Sequence, residues 1–223
     1  MTSMSDAVRH PLFARAYARL SERESAEQVE HRRETLAGLR GRVVEIGAGN
    51  GRNFAFYPAT IDEVVAVEPE PYLRALAVRA AARAPVAVSV VDAVAGRLPF
   101  DDARFDAAVA CLVLCTVPDP RAALEDLRRV LRPAGELRFF EHVHADRQPL
   151  RALQSLGDAS TLWPRLAGGC HAARDTLHAI EDAGFSVTDV RRLDFSPGRP
   201  LPAVPHILGR ATPGVRGSDA RAR

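Results

Sequence analysis

Residues Val43 to Asn53 read Val-Val-Glu-Ile-Gly-Ala-Gly-Asn-Gly-Arg-Asn. A short apolar run encloses an acid, Glu45, and three glycines follow at alternate positions, Gly47, Gly49 and Gly51. Glycine tolerates the backbone of a sharp turn, and without a Cβ it lets a ligand come close to the main chain. At the end of a buried strand, such a loop offers its N–H groups to a nucleotide-like or carboxylate-bearing molecule. The spacing is not the dinucleotide pattern G-x-G-x-x-G, because the sixth position counted from Gly47 holds Arg52. The alternative is a tight strand-to-helix turn with no ligand, and the surrounding chain has to decide between the two.

Outward from this loop, apolar strands alternate with helical patterns, the sign of βαβ units and a parallel sheet. Strands are expected at Arg42–Ile46, Glu63–Val67, Val86–Val91, Asp106–Leu112 and Glu136–Glu141, several of them the nearly unbroken apolar runs of strands buried on both faces. Pro71–Ala84 reads as a helix opened by proline, Arg121–Leu131 as one closed by Pro133, and Asp175–Ala183 as one capped by Gly184. Ser186–Asp194 and His206–Ala211 read as two strands joined by the proline-rich loop Ser196–Pro205. That ending suits a parallel sheet whose last strand inserts antiparallel. Ahead of the sheet, Leu12–Leu39 reads as a long charged helical stretch with Phe13, Tyr17 and Leu20 on one face. Residues 213–223 carry too little apolar content to fold. The expected division is an N-terminal helical lid over 1–40, one α/β domain over 41–212 and a disordered tail over 213–223.

Composition narrows the function classes. A chain of 223 residues suffices for one domain with a substantial core. The net charge of +2 is too small to argue for nucleic acid as a partner. All thirty basic residues are arginine, so no lysine can act as a base or form a Schiff base. The opening MTSMSDAVRH lacks the apolar centre of a signal peptide, and no apolar run approaches the ~20 residues that span a bilayer. Cys111, Cys115 and Cys170 read as free thiols in a reducing, cytoplasmic setting rather than as a disulfide framework. Without paired cysteine spacings they do not suggest a metal.

Glu45-x-Gly47-x-Gly49-x-Gly51 resembles the first motif of the class I S-adenosyl-L-methionine (SAM) methyltransferases. Longer strings resemble one branch of that superfamily, the small methyltransferase-like proteins that methylate alkyl thiols. They are Arg33-Glu34-Thr-Leu, then Gly49-Asn-Gly-Arg-Asn53-Phe-Ala-Phe-Tyr57-Pro58, Leu112-Val-Leu-Cys115-Thr-Val, Val130-Leu-Arg-Pro133 and Glu141-His142-Val143. Further on come Trp163, Gly169-Cys170, Arg174-Asp-Thr176 and Pro205-His206-Ile207, so the likeness spans roughly residues 30–211. It implies a Rossmann-like, seven-stranded, mostly parallel sheet with an antiparallel last strand and helices on both faces. It also implies SAM as cofactor and methyl transfer to a thiol of a small molecule, in natural-product tailoring or thiol detoxification. N- or O-methylation of a lipid head group or other metabolite, and SAM binding without catalysis, are the alternatives, because the core motifs do not fix the acceptor atom. Two features depart from the branch. Its membrane-associated members begin with an apolar anchor, where this chain has a charged, arginine-rich helix, which points to a soluble protein. The acid after the second strand is Glu68 where those relatives often carry Asp.

The candidate cofactor residues are Glu45, Gly47, Gly49 and Asn53 from the first loop, and Glu68 and Pro69 after the second strand. Asp92 and Ala93 after the third strand, Cys111 and Leu112 at the end of the fourth, and Tyr17 as a lid complete the set. Glu68, 17 residues beyond Gly51, could accept hydrogen bonds from both ribose hydroxyls, or be a plain strand-end acid. Asp92 could reach the adenine amino group or simply cap a turn, and backbone around Cys111 and Leu112 could hold the amino group. Methyl transfer from a sulfonium needs the nucleophile held in line at near-contact distance, and strong acid–base machinery is optional. His142 and Glu141 are the catalytic candidates, with His142 either taking the acceptor proton or only packing beside the cofactor. Phe13, Cys115, Trp163, His171 and Arg174 are candidates for the acceptor pocket. Against that stand a core-anchor role for Trp163, an ion pair with Asp175 or Glu181 for Arg174, and simple burial for Cys115 and Cys170.

Overall fold

Seven strands form one sheet: β1 (Gly41–Ile46), β2 (Ile61–Val67), β3 (Val88–Val91), β4 (Phe105–Cys111), β5 (Leu131–His142), β6 (Phe185–Phe195) and β7 (Val204–Pro213). These come from a computed structural model that describes residues 11–160, 162–196 and 203–214. The strand order is β3-β2-β1-β4-β5-β7-β6. The first five strands pair in parallel, and β7 runs antiparallel between β5 and β6. This is the mostly parallel sheet with an antiparallel last strand that the sequence led us to expect.

The helices are α1 (Pro11–Ser21), α2 (Ala26–Leu36), α3 (Pro71–Ala81), α4 (Pro120–Val130), α5 (Leu150–Ala159), α6 (Leu162–Leu166) and α7 (Thr176–Asp182). Successive strand residues point to opposite faces, and both faces are covered. Val44, Ile46, Val65, Val67, Ala108 and Ala110 pack with Leu124 and Leu127 of α4 and Ile180 of α7. Val43, Val64, Ala66, Ala107 and Val109 pack on the other side with Leu36 of α2 and Ala77 of α3. The helices after β2 and β4 start alike: Glu70 and Asp119 accept from the N–H groups of Leu73 and Ala122 at 2.8 and 2.9 Å, and a proline follows each cap.

The departures from the sequence reading have local causes. The single N-terminal helical stretch is two helices, because Ser25 caps α2 by accepting from the Gln28 N–H at 3.1 Å and Glu24 turns inward to the Arg32 guanidinium at 2.9 Å. β5 starts at Leu131, directly after α4, and its pairing with β4 jumps from Leu131 to Glu136. Pro133, which has no N–H to give, lies in the segment skipped by the ladder. α5 and α6 fill the connection between β5 and β6, which the sequence reading left without elements. β7 continues through Pro213, while the expectations for 1–10, for most of the Ser196–Pro205 loop and for residues 215–223 lie outside the described residues. Among the described residues, no helix is long and apolar enough to cross a membrane.

β1 sits between β2 and β4, so the chain leaves β1 towards β2 and later returns to its other side. The connections after β1 and β4 pass to opposite faces of the sheet, and a crevice opens at the carboxyl ends of the strands.

Candidate active site

A cavity of about 640 Å³ occupies that crevice, and the segments following β1 to β4 and the end of β5 all contribute to its wall. Its volume suits a drug-sized ligand. Gly47 and Gly49 form the floor with φ of +61° and +58°. A Cβ on Gly47 would lie 2.1 Å from Val113 Cγ2, so the loop after β4 fits against the glycine loop only because that position is bare. Gly49 faces the Tyr17 ring, 3.2 Å from where its Cβ would be.

Glu68 follows β2. One carboxylate oxygen accepts from the Gly49 N–H at 2.7 Å and the other from the Glu70 N–H at 2.9 Å. A carboxylate offers about four lone-pair sites, so each oxygen can accept once more from the cavity side. Burial pushes its pKa up to about 7, against the lowering effect of the two backbone bonds. Arg74 donates to the carbonyls of Glu68 and Pro69 at 2.9 and 2.8 Å and pairs with Asp92 at 2.9 Å. Asp92 therefore turns to Arg74 and does not line the cavity. Ala93 packs into the core below, and Val94 and Ala95 form the wall.

The loop after β4 is clamped from two sides. Leu112, which lines the cavity, takes φ +57°, a strained value for a residue with a side chain. Beyond it the N–H groups of Val113 and Leu114 both donate to Glu141 Oε1 at 3.0 Å. Arg174 donates to the carbonyls of Leu114 and Val117 at 2.6 and 2.7 Å. Glu141 is fully buried, its Oε2 has no partner among the described residues, and burial pushes its pKa up to about 7. Neither Glu141 nor Arg174 lines the cavity; both hold the loop that does. Arg174 pairs with main-chain carbonyls rather than with Asp175 or Glu181.

His142, at the end of β5, lines the cavity, and its Nδ1 has no partner among the described residues. The β5–β7 register sets it opposite His206, ring centroids 5.3 Å apart. His206 Nδ1 donates to the Val204 carbonyl at 2.8 Å, and burial lowers its pKa to about 4, so this ring is neutral at ordinary pH. Cys115 and Cys170 also line the cavity, whereas the His171 ring turns to Asp158, 3.8 Å away.

Helix α1 lies along one side of the cavity. Phe13 and Tyr17 stack at 5.9 Å; Tyr17 rests on Gly49, and Phe13 lies against Gly168, where a Cβ would come within 2.3 Å of the ring. Leu150, Leu153 and Gln154 of α5 and Trp163 of α6 close the far end. Trp163 is 48% exposed, so it stands at the rim and is not a core anchor.

Glu45, Asn53 and Cys111 lie behind the glycine loop, outside the cavity. Glu45 accepts from Asn53 Nδ2 at 2.8 Å and from the Tyr57 hydroxyl at 2.7 Å, and burial pushes its pKa to about 7. Asn53 Oδ1 accepts from Arg32 at 2.9 Å, and the same Arg32 nitrogen approaches Cys111 Sγ at 3.3 Å. Arg32 and Glu24 were absent from the sequence-derived site because a polar residue on a charged helix reads as solvent-facing. The α5 residues were missed too, although Leu150 and Leu153 stand at helical spacing.

The fold and this cleft define a class I methyltransferase, and a family model described as methyltransferase domain matches residues 44–139. The thiol S-methyltransferase TMT1B of Mus musculus is 35% identical over 209 residues, 90% of this chain and 82% of the mouse protein. Its counterpart in Homo sapiens is 34% identical over 181 residues, covering 79% of this chain and 73% of the human protein. The crystal structure of geranyl diphosphate C-methyltransferase from Streptomyces coelicolor A3(2), with S-adenosyl-L-homocysteine, shares the fold at a TM-score of 0.64 and 15% identity, over 84% of this chain and 77% of that one. The chain belongs to the thiol S-methyltransferase family of SAM-dependent methyltransferases.

Proposed function

We propose that this chain transfers a methyl group from SAM to the sulfur of a small apolar thiol. SAM supplies an electrophilic methyl on a sulfonium whose departure leaves a neutral thioether. The chain's own part begins at Glu68, whose spare lone pairs take the ribose hydroxyls while its Gly49 and Glu70 bonds keep it oriented. Bare Gly47 and Gly49 admit the cofactor's amino-acid portion close to the backbone. Pro69, Val94 and Ala95 make the flat apolar slot that adenine needs. Tyr17 and Phe13 exclude water from above, which makes residues 11–21 a lid. Glu141 and Arg174 keep the Leu112–Val117 loop in place under the reacting atoms, and His142, with a ring nitrogen to spare, receives the thiol proton.

One observation carries the reading. Glu68, Gly49 and His142 line one cavity, and among the described residues its acidic lining, Glu68 and Glu70, follows β2, three strands away from the end of β5 that carries His142. A protonated amine placed there would be a buried, unpaired charge, whereas a thiol is weakly polar and costs little to desolvate. Residues 41–212 then act as the catalytic domain. The test is SAM consumption against a panel of apolar thiols and a matched panel of amines and phenols. Turnover confined to thiols is expected, and turnover only on amines or phenols would overturn the proposal.

A further inference from the structure

Two of the three cysteines meet in the wall of the acceptor chamber. Cys115 is on the loop after β4 and Cys170 follows α6, and both line the cavity. Their backbones run in contact: the His171 N–H donates to the Cys115 carbonyl at 2.8 Å, and a Cβ on Gly169 would lie 3.1 Å from the Thr116 carbonyl oxygen. The Cys170 thiol interacts with the Cys115 thiol and with the His142 ring. The hydrogen bond from Cys115 lowers the Cys170 pKa most; burial opposes it, His142 lowers it further, and Asp158 opposes. The same bond, followed by burial, raises the Cys115 pKa. Two thiols on touching segments of one cavity wall, with the His142 ring on the same wall, are the arrangement an exchange pair needs. The third thiol, Cys111, lies outside the cavity beside Arg32, with its pKa pushed up to about 12 by burial. Methyl transfer as described above uses none of them.

We propose that Cys170 and Cys115 form a disulfide-exchange centre that accepts small apolar disulfides and releases thiolate into the chamber where methylation occurs. The Cys170 thiolate attacks one sulfur of R–S–S–R, making a Cys170–S–S–R bond and expelling RS⁻. Cys115 then attacks the Cys170 sulfur, closing the Cys115–Cys170 bond and expelling the second thiolate, and its proton passes to one of the two departing sulfurs. Two electrons move from the protein dithiol to the substrate disulfide, and a low-molecular-weight thiol in the medium returns the pair to its reduced form. Only the fate of the released thiolate rests on the proposed methylation; the exchange does not.

The test uses the reduced full-length chain without SAM and 2,2′-dithiodipyridine as the apolar disulfide. The expected result is release of two thione molecules per chain, no retained adduct, and a Cys115–Cys170 cross-linked peptide by mass spectrometry. Cys115→Ser should release one and hold the adduct on Cys170. Cys170→Ser should slow release by about tenfold or more, since the thiolate is the attacking species. Independent adducts on the two cysteines of the wild-type chain, with no cross-link, would overturn the inference. That peptide map decides the matter even if a variant fails to fold. Exchange without methylation of any thiol removes the proposed function alone; methylation of free thiols without the cross-link removes this inference alone.

Discussion

Replacing Glu141 by Gln tests whether the buried acid under the Leu112–Val117 loop is costly when ionised. Its pKa rises from 4.5 to about 7 on folding, because burial outweighs the bonds from Val113 and Leu114. Between those values the folded chain keeps a proton that the unfolded chain has lost, so stability is greatest below 4.5 and declines as pH rises through 7. Proton linkage over the interval from about pH 5 to about pH 8 gives a loss of about 2.5 kcal/mol from this one group. Gln keeps the oxygen that accepts from Val113 and Leu114, but its NH₂ replaces an oxygen without a partner among the described residues. At low pH the neutral acid carries one unsatisfied O–H there, and the amide, with two N–H groups to place, costs about 1–3 kcal/mol more. Glu141→Gln should therefore be the less stable protein at low pH and recover relative to wild type as pH rises. The recovery should be about 5–10 °C in melting temperature for a chain of this size. Thermal melts of both proteins in a matched pH series measure it, and a difference that stays constant with pH would refute the argument.

Gly47→Ala should cost about 2–5 kcal/mol, from the left-handed backbone and the clash with Val113 together, and urea unfolding would reveal it. Glu68→Ala strips the acceptor from the Gly49 and Glu70 N–H groups, and SAM affinity by calorimetry should fall at least about tenfold; unchanged affinity would remove Glu68 from the cofactor site. His142→Ala should slow turnover more at low pH than at high pH, because a thiol ionises unaided as pH rises. A uniform loss across the profile would mean that His142 positions the acceptor and takes no proton.

The parallel strands were legible in the sequence because burial on both faces leaves long apolar runs, and the glycine loop because its spacing has few other uses. Glu68 and His142 were legible by position, each standing at the carboxyl end of a strand. What lay hidden was the direction of side chains on polar stretches. Glu45 ends up behind the loop because its strand parity matches Val43, the face covered by α2, and Asp92, just past β3, turns to Arg74 in the first turns of α3, the helix that follows the neighbouring strand β2. Arg174 looked like a substrate or ion-pair residue, yet its partners are main-chain carbonyls, which no residue pattern announces. Trp163 looked like a core anchor because tryptophan usually is one.

Helix α2 carries an unusual burden: Gln28, His31, Arg32 and Thr35 are all buried, and Arg32 joins Glu24 to the asparagine beneath the glycine loop. Its removal would leave Glu45 and Asn53 without their cation and uncover Phe140, against which His31 packs at 5.4 Å. Trimming the chain back to residue 41 should therefore not yield a smaller working enzyme. The N-terminal helices and the sheet should melt in one cooperative step, and a separate early transition in calorimetry would contradict that.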